Sequence, residues 1–438
     1  MYGRALILFS FLAMATADGA EGSDWKRWRG PFRTGMAVGD APLRWDDATN
    51  VVWKVAIPGR GHSTALLVED RLFLTTAIPT GRGSGPTGPG RAGGGAAAGL
   101  EHRFEVLSID RVTGETVWQR TATVATPHEG YHRIYGSFAS NSPVTDGERL
   151  FAFFGSRGLY AYDLEGTLLW EKDFGVQMRM DMQFGEGTAV ALHDGRLLLH
   201  FDHLDGGFLV MLDRETGREI WRTARDEPFN WAEPYVVEHD GERQIVVNGL
   251  TVRGYDFETG TLVWEAEGLG ENTIPQPVQH EDLVFAMSGH TVKNIMAIRL
   301  GRKGELTGTD AIVWSTSRGA PYTPSPLIHD GILYVLTDNG RLSAFEPETG
   351  EPHYLQERLP KPYNFKASPV GASGKLYLAS ENEDVVVVQM GETFDVLATN
   401  TLKGQSFIAS PIIVDGDIYL RSRTHLFRIG RRRASARD

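Results

Sequence analysis

Short apolar runs broken by Asp, Glu and Gly turns recur eight times along this chain, and within each run apolar and polar positions alternate with period two. The copies are TALLVEDRLFL (64–74), SPVTDGERLFA (142–152), TAVALHDGRLLL (188–199), EPYVVEHDGERQIVV (233–247), QPVQHEDLVFA (276–286), SPLIHDGILYV (325–335), SPVGASGKLYL (368–378) and SPIIVDGDIYL (410–420). Period-two alternation predicts half-buried strands, and the D-G or E-D step predicts a tight hairpin turn. A second pattern follows most of these hairpins: an acidic turn carrying Gly, then a strand ending in Trp. VTGETVW (112–118), LEGTLLW (164–170), ETGREIW (215–221), ETGTLVW (258–264) and TDAIVW (309–314) carry it, while ETGEPHY ends in Tyr354 and GETFDVL in Leu397.

One hairpin of each kind makes a four-stranded sheet, the unit of a propeller blade. The eighth hairpin has no Trp hairpin after it, because the chain runs only to HLFRIG at 425–430. The missing strand stands at the other end, in NVVWKVAIPG at 50–59. The expected fold is therefore an all-β, eight-bladed β-propeller of four-stranded blades over 50–430, its ring closed by an N-terminal strand joining the C-terminal blade. Closure removes an exposed sheet edge. The period is about 48 residues, as four-stranded blades require. Trp53, Trp118, Trp170, Trp221, Trp264 and Trp314 recur with the blade, so they are read as the wedge between neighbouring sheets.

Outside the repeat, Arg4 precedes the apolar run ALILFSFLAM (5–14), and small residues follow at Ala15 and Ala17. This is the layout of a signal peptide over 1–20, cut after Ala17 or Ala20, so a periplasmic or secreted protein is expected. The run is too short to span a bilayer, and no transmembrane segment is expected elsewhere. Residues 21–49 hold Trp25, Trp28 and Trp45 and are expected to pack on the propeller as an N-terminal extension. The Gly/Pro/Ala-rich stretch 80–99 reads as a flexible loop, and 431–438 as a solvated basic tail. The 51 glycines suit many tight turns. A net charge of −12 disfavours nucleic acid. The absence of cysteine excludes disulfides, thiolate metal sites, a cysteine nucleophile and a lipid-anchor cysteine.

The segments IDRVTGETVW, LDRETGREIW and YDFETGTLVW, each with Asp upstream of T-G-x-x-x-W, resemble the tryptophan-docking motif of the quinoprotein-like (PQQ-like) β-propeller repeat family. The resemblance covers nearly all of 50–430. WKRWRGPFRTG and PGRGHST look like a secreted subfamily with no assigned chemistry. Trp314 without the Gly-rich turn, Tyr354 and Leu397 depart from the motif, which implies less uniform docking in blades five to seven. In the family's dehydrogenases PQQ and usually Ca²⁺ sit in the central funnel, and many use an adjacent cysteine pair. This chain cannot form that pair, and no local motif matches the family's catalytic Asp with Glu and Asn calcium ligands. Another branch resembles the propeller of the bacterial outer-membrane assembly machinery, which binds a partner protein.

Ligands of propellers bind where strands converge on the axis, so the loops linking one blade to the next are the candidate site. They carry Arg60, His62, Arg179, Asp181, Glu186, Trp231, Glu233, Asn272, Tyr322 and Lys366, a mixed-charge ring with aromatics suited to an anionic or sugar-like ligand. Other signals are bland. HEGYH (128–132) spaces two histidines for a helix that Gly130 and Tyr131 make unlikely, and no third ligand is evident. Ser63 in GHSTA enters a strand rather than a strand-to-helix elbow. FDHLDGG (201–207) lacks the acidic spacing of a calcium loop and reads as a hairpin turn. Together these features point to a monomeric binding or scaffold module for a protein, a glycan or a small ligand, with no catalytic residue, metal or cofactor expected. The alternative is a PQQ-dependent alcohol or sugar dehydrogenase.

Overall fold

The computed structural model describes residues 24–84 and 93–431. The expected signal peptide, residues 85–92 and most of the basic tail lie outside them. Eight antiparallel sheets follow one another around a ring, an eight-bladed β-propeller. Blades 1 to 7 span 66–125, 144–172, 191–225, 235–267, 278–316, 327–358 and 370–401. Blade 8 takes three strands from 412–429 and its fourth from Val51–Ala56, with Val51 opposite Ile429 and Ala56 opposite His425. The ring is thus closed by pairing the two ends of the chain, as the sequence pattern requires. Among the described residues, no helix is long and apolar enough to cross a membrane.

The D-x-x-T-G-x-x-x-W motif explains how blades lock. Asp110 accepts the amides of Val112 and Thr113 at 2.9 and 2.7 Å, which tightens the turn and puts Gly114 at φ +77°. Trp53 of blade 8 lies on that glycine, where a Cβ would meet the indole at 2.9 Å. Its Nε1 donates to the Arg111 carbonyl at 3.0 Å. The same docking joins Trp118 to Leu164, Trp170 to Arg214, Trp221 to Phe257 and Trp314 to Pro347 of the following blades. Each indole fills a seam with apolar surface while its one polar group stays paired.

Trp264 is core like the rest of the series but does not dock on the next blade. It turns onto its own blade, donating to Gln244 Oε1 at 2.7 Å and lying against Gly254. The cause is in blade 5, which lacks the T-G turn that would receive it. Residues 300–311 loop out instead, and Gly304–Glu305 pairs in parallel beside Trp264 as a fifth strand of blade 4. At later seams Tyr354 packs edge-on against Phe394 at 5.8 Å, and Trp45 of the N-terminal extension stacks on Tyr377 at 6.4 Å.

The N-terminal extension crosses the ring. Trp25 exchanges backbone hydrogen bonds with Leu67 of blade 1, and Lys26 accepts from Thr145 of blade 2. Arg33 reaches His193 and the Val236 carbonyl of blades 3 and 4, and Gly35 and Ala37 pair with Gly371 of blade 7. All of these partners lie on innermost strands. The extension therefore closes one end of the central channel. Of the stretch read as a flexible loop, 80–83 continue a strand, and Ala96 pairs with Tyr131.

Candidate functional site: a cavity above the channel floor

The extension supplies the floor. Arg29 is 3% exposed and donates to the carbonyls of Pro369, Pro326 and Thr34 at 3.0, 2.8 and 2.8 Å. Burial pulls its pKa down to about 10, so it stays a cation at neutral pH. Those carbonyls satisfy it, which is the condition for burying a charge. Trp28 lies next to Arg29, and its Nε1 donates to Ser410 Oγ at 3.2 Å.

Above Trp28 the channel holds a cavity of about 380 Å³. Its aromatic lining is Trp28, Trp231, Tyr135, Tyr322 and Phe184, joined by His62, His132 and His290. Lys366 and Glu186 are the charged lining residues, and serines 137, 140, 142 and 410 add hydroxyls. Tyr135, 40% exposed, stands at the rim.

Two of the three histidines are biased toward the neutral ring. Burial, reinforced by Arg60, Arg421 and Arg423, holds the His62 pKa well below its ordinary value. Its Nε2 is buried and has no hydrogen-bond partner. Burial and the nearby Lys366 lower His132, which stacks on Tyr135 at 4.5 Å. His290 stacks on Tyr322 at 5.1 Å and is held through Nδ1 by Asn272 Nδ2 at 3.1 Å. Lys366 Nζ sits 4.5 Å from the Tyr135 ring and 3.2 Å from Asp338 Oδ1. Asp338 in turn accepts the backbone amides of Tyr322 and Thr323. Glu186 is committed to Arg157 at 2.8 Å and to Ser156. The cavity thus offers flat apolar faces and one cation.

Of the ten loop residues singled out from the sequence, the structure brings His62, Glu186, Trp231, Tyr322 and Lys366 into the lining. Asn272 stands behind His290. Arg60 buttresses a loop, stacking on Tyr131 and donating to the Arg133 carbonyl at 2.8 Å. Arg179 pairs with Asp205 on the exposed surface, and Asp181 lies in a 3-10 turn away from the lining. Glu233 is buried, and burial raises its pKa to about 7 against the opposing pull of Arg33, Arg27 and Arg29. Sequence reasoning missed Trp28, Tyr135, Phe184 and His290 as lining. His290 lies between the second and third strands of blade 5. In an antiparallel blade such a turn falls on the same face as the blade-to-blade loops, so strand parity was the available signal.

Other constellations are structural. His128 contacts the Met178 carbonyl at 2.8 Å while His132 stacks elsewhere, so the two rings do not converge. Ser63 is fully buried and accepts the Thr75 amide at 3.2 Å. Thr188, His200 and Asp202 line up as a nucleophile, base and orienting acid would, at 3.0 and 3.3 Å. However, His200 Nε2 lies 2.7 Å from the Ala232 carbonyl, which requires a proton on that nitrogen and leaves no base for Thr188. Asp202 is held by Arg225 at 2.8 and 3.0 Å and by Asn230, a sealed structural network.

Comparison with known proteins adds to this geometry. Residues 102–208, 179–308 and 287–423 match the PQQ_2 family model, described as outer membrane protein assembly factor BamB. No curated protein sequence matches the chain. Among solved structures, BamB from Moraxella catarrhalis is similar at 12% identity and a TM-score of 0.53, over 88% of this chain and 99% of that one. Quinohemoprotein alcohol dehydrogenase from Comamonas testosteroni is similar at 11% identity and 0.61, over 96% and 83%. The computationally designed Ika8 protein is similar at 12% identity and 0.56, over 87% and 100%. At these identities the likeness is one of fold.

Proposed function

The chain belongs to the PQQ_2 propeller family, and on that premise we propose that it is an exported binding propeller that takes a small ring-shaped organic ligand into the central cavity. The observation that carries this reading is the stack of aromatic and imidazole faces above Trp28. A cavity of about 380 Å³ lies in the range of small-molecule sites, which are mostly apolar with a few placed polar groups. A sugar or a planar heterocycle lays its flat face on such rings, and an acidic substituent finds Lys366. The apolar run near the N-terminus supports export to the periplasm or beyond.

The donor set does not fit PQQ with Ca²⁺. Calcium takes six to eight oxygen ligands, several of them carboxylates. The lining offers one carboxylate, Glu186, already held by Arg157 and Ser156. The three carboxylates of PQQ would meet one lining cation, Lys366. Quinone-dependent oxidation is therefore the weaker reading. A thermal-shift screen of the purified protein against mono- and disaccharides, sugar acids, purines, flavins and PQQ with and without Ca²⁺ separates the two. Stabilisation by a sugar or heterocycle supports the proposal. Stabilisation by PQQ and Ca²⁺ together, with dye-linked alcohol oxidation, would overturn it.

A further inference from the structure

A second cluster lies apart from the cavity, at the seam of blades 5 and 6. His280 ends the strand Val278–His280, and Glu281 and Asp282 form the turn after it. Glu346 and Glu348 flank Pro347 in the turn that precedes the strand Pro352–Arg358, which carries His353. That turn is fixed, because Trp314 donates to the Pro347 carbonyl at 2.7 Å and lies on Gly350. One donor atom each from His280, Glu281 and Glu348 lies within 4.8 Å of the others.

These side chains converge at ion-pair distance without closing hydrogen bonds. His280 Nε2 stands 3.6 Å from Glu348 Oε1, and His353 Nε2 stands 3.7 Å from Glu346 Oε2. Both distances exceed a hydrogen bond. They are close to the roughly 3.3 Å that separates two ligands of a tetrahedral ion with bonds of about 2.0–2.1 Å. His353 Nε2 is buried with no hydrogen-bond partner.

We propose that His280, Glu281 and Glu348 bind a divalent cation of the Zn²⁺ class, with Glu346 and His353 as positioning residues. Imidazole nitrogen beside carboxylate suits zinc and its neighbours in the first transition row, whereas Mg²⁺ and Ca²⁺ select oxygen alone. Three protein ligands leave a fourth position for water, as the half-exposed surface permits. Because the ligands come from both blades, the ion staples a seam flanked by two irregular ones, the self-docked Trp264 on one side and Tyr354 on the other.

The test is calorimetric titration of tag-free protein with ZnCl₂, repeated with Co²⁺ and read by visible absorption. We expect about one equivalent at micromolar affinity, a d–d band of four-coordinate Co²⁺, and a Tm that rises with Zn²⁺. His280→Ala and Glu348→Gln should weaken binding more than tenfold and abolish the rise in Tm. Glu346→Gln should weaken binding by about tenfold, the lower end of the range for groups that orient ligands. Metal-free Tm values of these half-exposed variants control for folding. No saturable binding up to millimolar Zn²⁺ would overturn the proposal, as would unchanged affinity in His280→Ala and Glu348→Gln.

Discussion

The two ends of the central channel solve opposite problems with similar residues. At the closed end a buried charge is satisfied: Arg29 donates to three carbonyls. At the open end, aromatic faces and histidines line empty space. Buried polar groups with full partner sets hold a structure together, and open apolar faces are where a ligand adds contact. One end of this channel is sealed and the other holds the cavity.

The contrast breaks most visibly at Arg29. Arg29→Ala strands three buried carbonyls and undoes the floor. Urea denaturation should show a loss of about 3 kcal/mol or more, typical of removing one side of a buried charged network. Ligand binding should fail with it, since Trp28 loses its support. A loss below about 1 kcal/mol would mean that the extension does not seal the channel.

Glu233 sharpens the same end through pH. Burial raises its folded-state pKa to about 7, from an ordinary value of 4.5. The folded state then holds the extra proton between those two pH values. The stabilisation is fully present below pH 4.5 and is lost as pH rises through 7, an effect of about 3 kcal/mol at most. Denaturation midpoints of Glu233→Gln should lack this downward slope when compared with the native protein. Parallel slopes would place the proton elsewhere.

At the open end the effects should fall on binding rather than on folding. Tyr322→Ala removes the ring that stacks on His290 and should weaken ligand binding about tenfold, while costing about 1 kcal/mol of stability. Lys366→Met keeps the apolar stem but leaves Asp338 without its cation, and should cost about 1 kcal/mol of stability. It should weaken acidic ligands and leave neutral ones unchanged, as paired calorimetric titrations would show. Equal losses for both ligand types would remove Lys366 from recognition.

Much of the ring was legible because period-two alternation and T-G-x-x-x-W are local signals with fixed geometry. Asp110, Gly114 and Trp53 show why: an acid caps the turn, the glycine takes a left-handed φ, and the indole lands on it. Trp264 escaped because its docking partner belongs to the next blade, and the fault is readable only in TDAIVW, where the T-G turn is missing. Half of the candidate loop residues reach the cavity, since a loop can be named from the repeat but the direction of a side chain within it cannot. Trp28 was out of reach, because its place depends on where the extension crosses the ring, a contact set by tertiary packing rather than by any local pattern.

The most direct measurement is an equilibrium titration of tryptophan fluorescence with the strongest stabiliser from the ligand screen, run on the native protein, on Trp28→Phe and on Trp28→Phe/Trp231→Phe. Ligand stacked on the channel floor should quench the native protein saturably, and most of that quenching should vanish in Trp28→Phe while binding itself weakens. Saturable binding with quenching unchanged in both Trp28→Phe and Trp28→Phe/Trp231→Phe would place the ligand elsewhere and contradict the central cavity as the site.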